Sequence, residues 1–201
     1  HAQLPSGSSA PDFTVTDIDG NTWNLYELLD QGKTVYLDFF ATWCGPCWNY
    51  HNSHAFKDLW EAYGPPGTNE AMVFSIEGDA NTNHDCLYGP SGCVGGTQGN
   101  WVDGTPYPIV ESSAVRASYS VAYYPTIYMV CPADKKVYEV GQQGKTGLWS
   151  SRTTLCPPLA VEVNVNNVVN VKCHNTNTGS IDINPASGTG PYTYNWSNGL
   201  H

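Results

Sequence analysis

The sequence predicts an α/β domain, with a mixed central sheet flanked by helices, followed by a small all-β module. Three observations carry that expectation. Residues 34–41 (TVYLDFFA) are a near-continuous apolar and aromatic run, the pattern of a strand buried on both faces of a sheet. Strand-like runs then alternate with helix-like segments, which implies parallel strands with helices packed on both sides. From Pro157 onward the texture changes to short alternating runs, VEVNVNNVVNVKC, GSIDI and YTYNW, separated by Gly, Asn and Ser turns.

The first segment with a clear signal is DFTVTDIDGNTWNL, in which apolar and polar residues alternate around Asp19-Gly20, predicting a lead-in hairpin. The buried strand over 34–41 comes next, and its one charge, Asp38, needs an explanation. Beyond the Gly45-Pro46 turn, Trp48, Ala55, Leu59 and Ala62 fall close to helical spacing, and Gly64-Pro65-Pro66-Gly67 ends the run. AMVFSI (71–76) is a second apolar strand. Residues 77–104, rich in Gly, Asn and Asp with two cysteines, read as an insertion. YPIV (107–110) resumes an extended segment, SSAVRASYSV predicts a short helix, and TIYMV (126–130) pairs with KVYEV (136–140) through a turn at Ala133-Asp134. A helix over about 146–155 closes the domain.

These signals divide the 201 residues into an N-terminal tail (1–9), an α/β domain (10–156) and a partial β-rich repeat module (157–201). The module has only 45 residues, below the size at which a lone sheet normally buries enough surface. That shortfall predicts a chain cut from a longer protein.

Eight Lys and Arg stand against 18 Asp and Glu, a net charge of -10, which disfavours nucleic acid and anionic lipid as partners. No apolar run approaches the ~18–20 residues that cross a bilayer, and HAQLPSGSSAP carries no charged-then-apolar leader, so the chain reads as soluble and already processed. Seven cysteines lean toward an oxidising, extracytoplasmic space. Cys86 and Cys93 lie close together in the insertion, and Cys131 and Cys156 flank a strand and a helix, which makes these two pairs the expected structural bridges. Cys173 is left over, either as an odd thiol or as a small buried hydrophobe.

The chemistry-bearing window is ATWCGPCWNYHNSH (41–54). Two cysteines spaced by Gly45-Pro46 suit a pair that cycles between dithiol and disulfide, whereas Cys44, Cys47, His51 and His54 together raise the question of zinc. A Cys2His2 site usually separates its pairs by about a dozen residues. Here three intervene, and one helix cannot wrap all four ligands around an ion. No metal is expected. His51, four residues after Cys47, either tunes that thiol or is simply a satisfied helix residue. Asp79, Asn81, Asn83 and Asp85 have the spacing of the first half of a calcium loop, but His84 and Pro90 stand where a glycine and a glutamate are needed, so a plain polar loop is expected. Asn195-Trp196-Ser197 fits a glycosylation acceptor and supports no assignment.

Residues 10–156 resemble the thioredoxin-like thiol-disulfide oxidoreductases of the TlpA/ResA kind. The resemblance is carried by APDF…DIDGNTWNLYELL, by YLDFFATWCGPC, by the insertion after the second strand, and by YYPT ahead of a strand. It implies a thioredoxin-like fold with a cis-proline at Pro125. It also implies a dithiol in which Cys44 attacks and Cys47 resolves, with Asp38 at the family's buried-aspartate position as proton shuttle or, alternatively, as a fold-stabilising acid. Trp43, Gly45, Pro46, Tyr124 and Pro125 become the expected partner-binding surface, with packing as the alternative for Trp43. Residues 159–199 resemble, more loosely, the repeats of bacterial cell-surface (SprB-type) adhesins.

The function expected is that of an exported thiol-disulfide oxidoreductase acting on disulfide-containing or dithiol proteins, fed by an electron-donor thiol protein, with no cofactor beyond the cysteine pair. A non-catalytic adhesion module with a static Cys44–Cys47 bridge is the main alternative. Thiol peroxidase is a weaker one, because no second reactive cysteine appears in the Thr-x-x-Cys context that peroxidases of related fold use.

Overall fold

The computed structural model describes residues 3–159, 163–169 and 180–186. The chain separates into two compact units, His1–Pro157 and Pro158–His201.

The first unit is built on a six-stranded sheet of order β1-β8-β7-β4-β5-β6. Its central strand is β4 (Thr34–Phe40), buried along its whole length as its apolar run requires. β4 runs parallel to β5 (Ala71–Glu77), which runs parallel to β6 (Ile109–Glu111). On the other side β4 is antiparallel to β7 (Thr126–Val130), and β7 to β8 (Lys136–Glu139). The edge strand β1 (Ser8–Ser9) pairs with Val137 and Lys136, so the last residues of the segment read as a tail join the sheet. The hairpin β2 (Thr14–Thr16) and β3 (Thr22–Asn24) leads into α1 (Leu25–Asp30), whose N-terminus is capped by the Asn24 carboxamide accepting the Glu27 N–H at 2.8 Å.

Alternation along β4 sorts the core. Val35, Leu37 and Phe39 join Met72, Phe74 and Ile76 of β5 and Leu25, Leu28 and Leu29 of α1 on one face. Tyr36 points to the other, with Val73, Ile127, Met129 and the helix residues Phe56, Leu59 and Leu148. Each fully buried Leu, Ile, Phe or Met contributes ~1.5–3 kcal/mol of transfer free energy. The second face is also pinned by hydrogen bonds, the Tyr36 hydroxyl donating to Leu148 O at 2.9 Å and the Tyr50 hydroxyl to Gln143 O at 2.7 Å.

The single helical run expected after the Cys motif is two helices, α2 (Gly45–His51) and α3 (Ala55–Tyr63). His54 adopts a left-handed backbone (φ 61°), and the Ser53 hydroxyl donates to Tyr50 O at 2.6 Å. Asn52 and Ser53 are residues whose side chains compete with helical hydrogen bonding, which is why the chain turns there. The short α4 (Ser113–Ser118) and α5 (Lys145–Leu155) complete the layers. Cys131, after β7, is bonded to Cys156 at the end of α5. Closing a loop of separation 25 is worth ~3 kcal/mol in the chain-entropy model.

The insertion between β5 and β6 is ordered around a 3-10 turn (His84–Leu87) and the Cys86–Cys93 disulfide. Asn83 braces it, its carboxamide accepting Val94 N–H at 2.7 Å and donating to Gly92 O at 3.0 Å.

In the second unit, β9 (Val163–Val169) and β10 (Ser180–Pro185) form an antiparallel pair with a register shift at Asp182/Ile183. Cys173 and the Asn195-Trp196-Ser197 tripeptide lie outside the described residues. Among the described residues no helix is long and apolar enough to cross a membrane.

Candidate active site

β4 delivers the chain through Ala41, Thr42 and Trp43 to Cys44, the N-cap of α2, with Gly45 and Pro46 as its first residues. Proline is tolerated there because its missing N–H is one that a first turn leaves unpaired. Cys44 and Cys47 are joined as a disulfide, and the Cys47 N–H donates to Cys44 Sγ at 3.2 Å. The same N–H is available to a Cys44 thiolate, and together with the helix dipole it favours the ionised form.

Asp38 projects between Tyr36 and Phe40 on the face of the sheet that also receives Cys47, since residues two apart on a strand share a face. Its carboxyl is buried. The Ser75 hydroxyl, on the register partner in β5, donates to Oδ2 at 3.3 Å, while Oδ1 has no partner. Desolvation pushes Asp38 up to about 7, partly offset by Ser75. Tyr50 and Tyr107 lie close enough for its charge to help hold their hydroxyls far above the usual tyrosine range, again mainly through burial. A carboxyl with one unsatisfied oxygen and an affinity for protons near neutrality is able to take up or release a proton at working pH.

Tyr124-Pro125 is the cis peptide bond of the described chain. The Phe39↔Thr126 pairing brings Pro125 level with the end of β4, and the Tyr124 ring stands edge-on to Trp43 at 6.2 Å. Thus Asp38, Trp43, Cys44, Gly45, Pro46, Cys47, Tyr124 and Pro125 gather at one end of the sheet.

Cys44 is not the exposed residue that a nucleophile at a helix start suggests. It is 3% exposed, packed with Cys47, Phe40, Leu87 and Trp101, whereas its neighbour Trp43 is 44% exposed. The insertion provides the cover. Gln98 donates its backbone N–H to Thr42 O at 2.9 Å and its Nε2 to Trp43 O at 2.8 Å, and the Thr42 hydroxyl donates to Gly96 O at 2.8 Å. The Trp43 indole N–H donates to Asp79 Oδ2 at 2.6 Å.

That last contact also settles what Asp79 does. Its Oδ1 accepts both the backbone and side-chain N–H of Asn81, at 3.0 and 2.8 Å. Partial burial raises Asp79, but the Asn81 backbone and the Trp43 indole outweigh it and hold the carboxyl below its ordinary value. The calcium-like spacing is therefore an Asx-type turn that anchors Trp43. Among the described residues no group of three or more His, Cys, Asp or Glu is placed to hold a metal ion. His51 stacks on Trp48 (centroids 5.4 Å apart) and leans on Trp101, and burial followed by the nearby His54 lowers it to about 4. It is a neutral packed ring.

Sequence reasoning missed Glu77, the last residue of β5. It is buried, and burial pushes it up to about 7 against hydrogen bonds from Thr82 and Asp79. The available signal was an acid closing the apolar run AMVFSIE.

With this geometry in place, comparison with known proteins is direct. Residues 6–87 match the AhpC/TSA family model, and residues 165–200 match the SprB repeat. The thiol-disulfide oxidoreductase ResA of Bacillus thuringiensis is 31% identical over 149 residues, covering 73% of this chain and 76% of the relative. The chain belongs to the ResA family of thiol-disulfide oxidoreductases. ResA of Bacillus anthracis matches to the same extent. The thioredoxin domain of a thiol-disulfide oxidoreductase from Bacteroides vulgatus superimposes with a TM-score of 0.55 at 19% identity, over 76% of this chain and 99% of that one, which establishes the thioredoxin-like fold. As a member of the ResA family the protein is an enzyme of disulfide exchange, and its Cys44/Cys47 pair occupies the Cys-x-x-Cys position.

Proposed function

We propose that the protein is an exported reductase or exchanger of disulfides in protein partners. The observation that carries this reading is the juxtaposition of a Cys44–Cys47 disulfide at a helix N-terminus with a buried, half-satisfied Asp38 on the preceding strand β4. In the reduced enzyme the Cys44 thiolate attacks one sulfur of a partner disulfide, forming a mixed disulfide and releasing the other sulfur as a thiolate. Cys47 then gives its proton to the Asp38 carboxylate and attacks Cys44 Sγ. The second partner sulfur leaves as a thiolate, and two electrons have passed from enzyme to partner. A dithiol donor protein restores the pair. Trp43, Gly45, Pro46, Tyr124 and Pro125 form the rim on which the partner docks.

Export is supported by two further disulfides, Cys86–Cys93 and Cys131–Cys156, and by the SprB-repeat match. The direction of electron flow has a direct test. Equilibrated against dithiothreitol or glutathione buffers, Cys44–Cys47 is expected near thioredoxin's potential of about −270 mV; a value above about −150 mV, close to the strong oxidant DsbA, overturns the reductase assignment.

The second reading is a binding module with a static bridge, and the near-complete burial of Cys44 favours it. A bridge that stays intact in those same buffers supports that reading, and ready cycling supports the enzyme.

A further inference from the structure

The Glu77 carboxylate lies where the end of β5 meets the start of the insertion. Its Oε1 accepts the Thr82 hydroxyl at 2.8 Å and the Asp79 N–H at 3.3 Å, both from the start of the insertion. Through Asp79 the same loop reaches the Trp43 indole. The backbone around Glu77 is equally fixed, because Glu77 pairs with Phe40 on β4 and the Gly78 N–H donates to Phe40 O at 3.0 Å. Gly78 leaves no room to shift: a Cβ there would lie 2.8 Å from Arg116 Cγ and from the Tyr124 hydroxyl.

We propose that Glu77 is a positioning residue for thiol exchange, whose ionised carboxylate holds the insertion loop 79–82 in the shape that lets Asp79 accept the Trp43 indole N–H next to Cys44. The inference rests on the exchange activity proposed above. Its physical basis is that one O–H and one N–H donor converge on Oε1, and bonds to a carboxylate are roughly twice as strong as bonds to a neutral acceptor. Protonation weakens the tie. Because Glu77 sits at about 7, this weakening occurs within the working range. The charged and titratable groups around it are Asp79 on its own loop, Glu111 at its register partner on β6 with His84 against it, Arg116 and Tyr124 beyond Gly78, and Asp38 further along the same face.

The sign follows. Glu77→Gln, with a neutral acceptor, mimics the acid form of the wild type. Its deficit in kcat/KM for insulin reduction is expected to be about tenfold at pH 8, equivalent to ~1.4 kcal/mol, and to vanish near pH 5.5, where the wild type is itself protonated. A deficit that is absent, or equal at every pH, overturns the proposal, since a purely structural role does not follow the ionisation. Should Glu77→Gln fail to fold, Thr82→Val removes one donor and leaves the acid; a smaller deficit with the same pH dependence is then expected, and none overturns the proposal.

One further readout needs no partner protein. In a Cys47→Ser, Asp38→Asn background, which removes the other carboxyl raised to about 7, alkylation of Cys44 by iodoacetamide is expected to show an inflection near pH 7 beyond the thiol's own ionisation, and Glu77→Gln to abolish it. If wild type reduces no insulin yet the inflection follows Glu77, the function reading fails and the positioning role stands. If insulin is reduced and the inflection survives in Glu77→Gln, the positioning role fails alone.

Discussion

A Cys44→Ser variant is expected to lose insulin-disulfide reduction by at least about 10³-fold while retaining the circular-dichroism spectrum of the parent. The size of the effect follows from chemistry: an alcohol is not a nucleophile toward sulfur at neutral pH, and the thiolate is the only species that opens a disulfide by this route. The fold survives because the sheet, its two apolar faces and the Cys131–Cys156 closure do not involve Cys44. Reduction retained by this variant at more than a few per cent of the parent rate removes Cys44 from the mechanism. The other two disulfides do not substitute for it, since Cys86 and Cys131 are wholly buried.

Asp38→Asn is expected to act in two opposite directions. Burial raises the Asp38 carboxyl from 3.8 to about 7, so between about pH 4 and pH 7 the folded state binds a proton more tightly than the unfolded chain. Stability therefore falls as pH rises through that window and levels off above it. Raising the carboxyl from 3.8 to about 7 corresponds to an upper figure of ~4 kcal/mol. Asn removes that penalty, so the variant is expected to be more stable than the parent at pH 8 by up to several kcal/mol and to differ little at pH 4. Glu77 keeps part of the slope in both proteins, because its carboxyl is raised into the same range. Urea melts of the oxidised proteins at the two pH values measure this, and equal stabilities at pH 8 contradict it. The kinetic effect runs the other way. Without an acceptor for the Cys47 proton, resolution of the mixed disulfide is expected to slow by about 10²-fold, the low end of general acid-base contributions.

Much of this site is legible in the sequence because its parts are local or strictly periodic. The run TVYLDFFA declares a buried strand, and period two on that strand assigns Asp38 to the face of Tyr36 and Phe40 without any knowledge of the fold. Trp-Cys-Gly-Pro-Cys marks the turn from strand to helix for the same reason: a proline early in α2 is compatible only with a first turn. What escaped is non-local. The cover over Cys44 comes from Leu87 and Trp101, more than forty residues downstream, in an insertion that Gly96 and Gln98 fasten to Thr42 and Trp43. Glu77 escaped because an acid at a strand end is ordinarily solvated; only the loop folding back over it turns it into a buried group. The break between α2 and α3 depends on the side-chain hydrogen bond of Ser53 and the left-handed backbone of His54, which apolar spacing does not register.

The covered Cys44 gives the account a definite physical consequence. A partner disulfide is expected to meet the sulfur beside Trp43 and the Tyr124-Pro125 turn, or after the Gly96–Gln98 segment yields. The Gly96–Gln98 segment is held to Thr42 and Trp43 by hydrogen bonds each worth about 1 kcal/mol net, so its local opening is within reach of thermal fluctuation, whereas buried Leu87 and Trp101 hold the rest of the insertion.

The most direct test of the central claim, that Cys44–Cys47 is an exchanging pair with Cys44 in the attacking position, is to trap the intermediate. Reduced Cys47→Ser protein mixed with insulin is predicted to accumulate a covalent adduct, released by dithiothreitol, in which mass spectrometry finds an insulin chain joined to Cys44. No adduct at Cys44, under conditions where a reference thioredoxin variant forms one, contradicts the account.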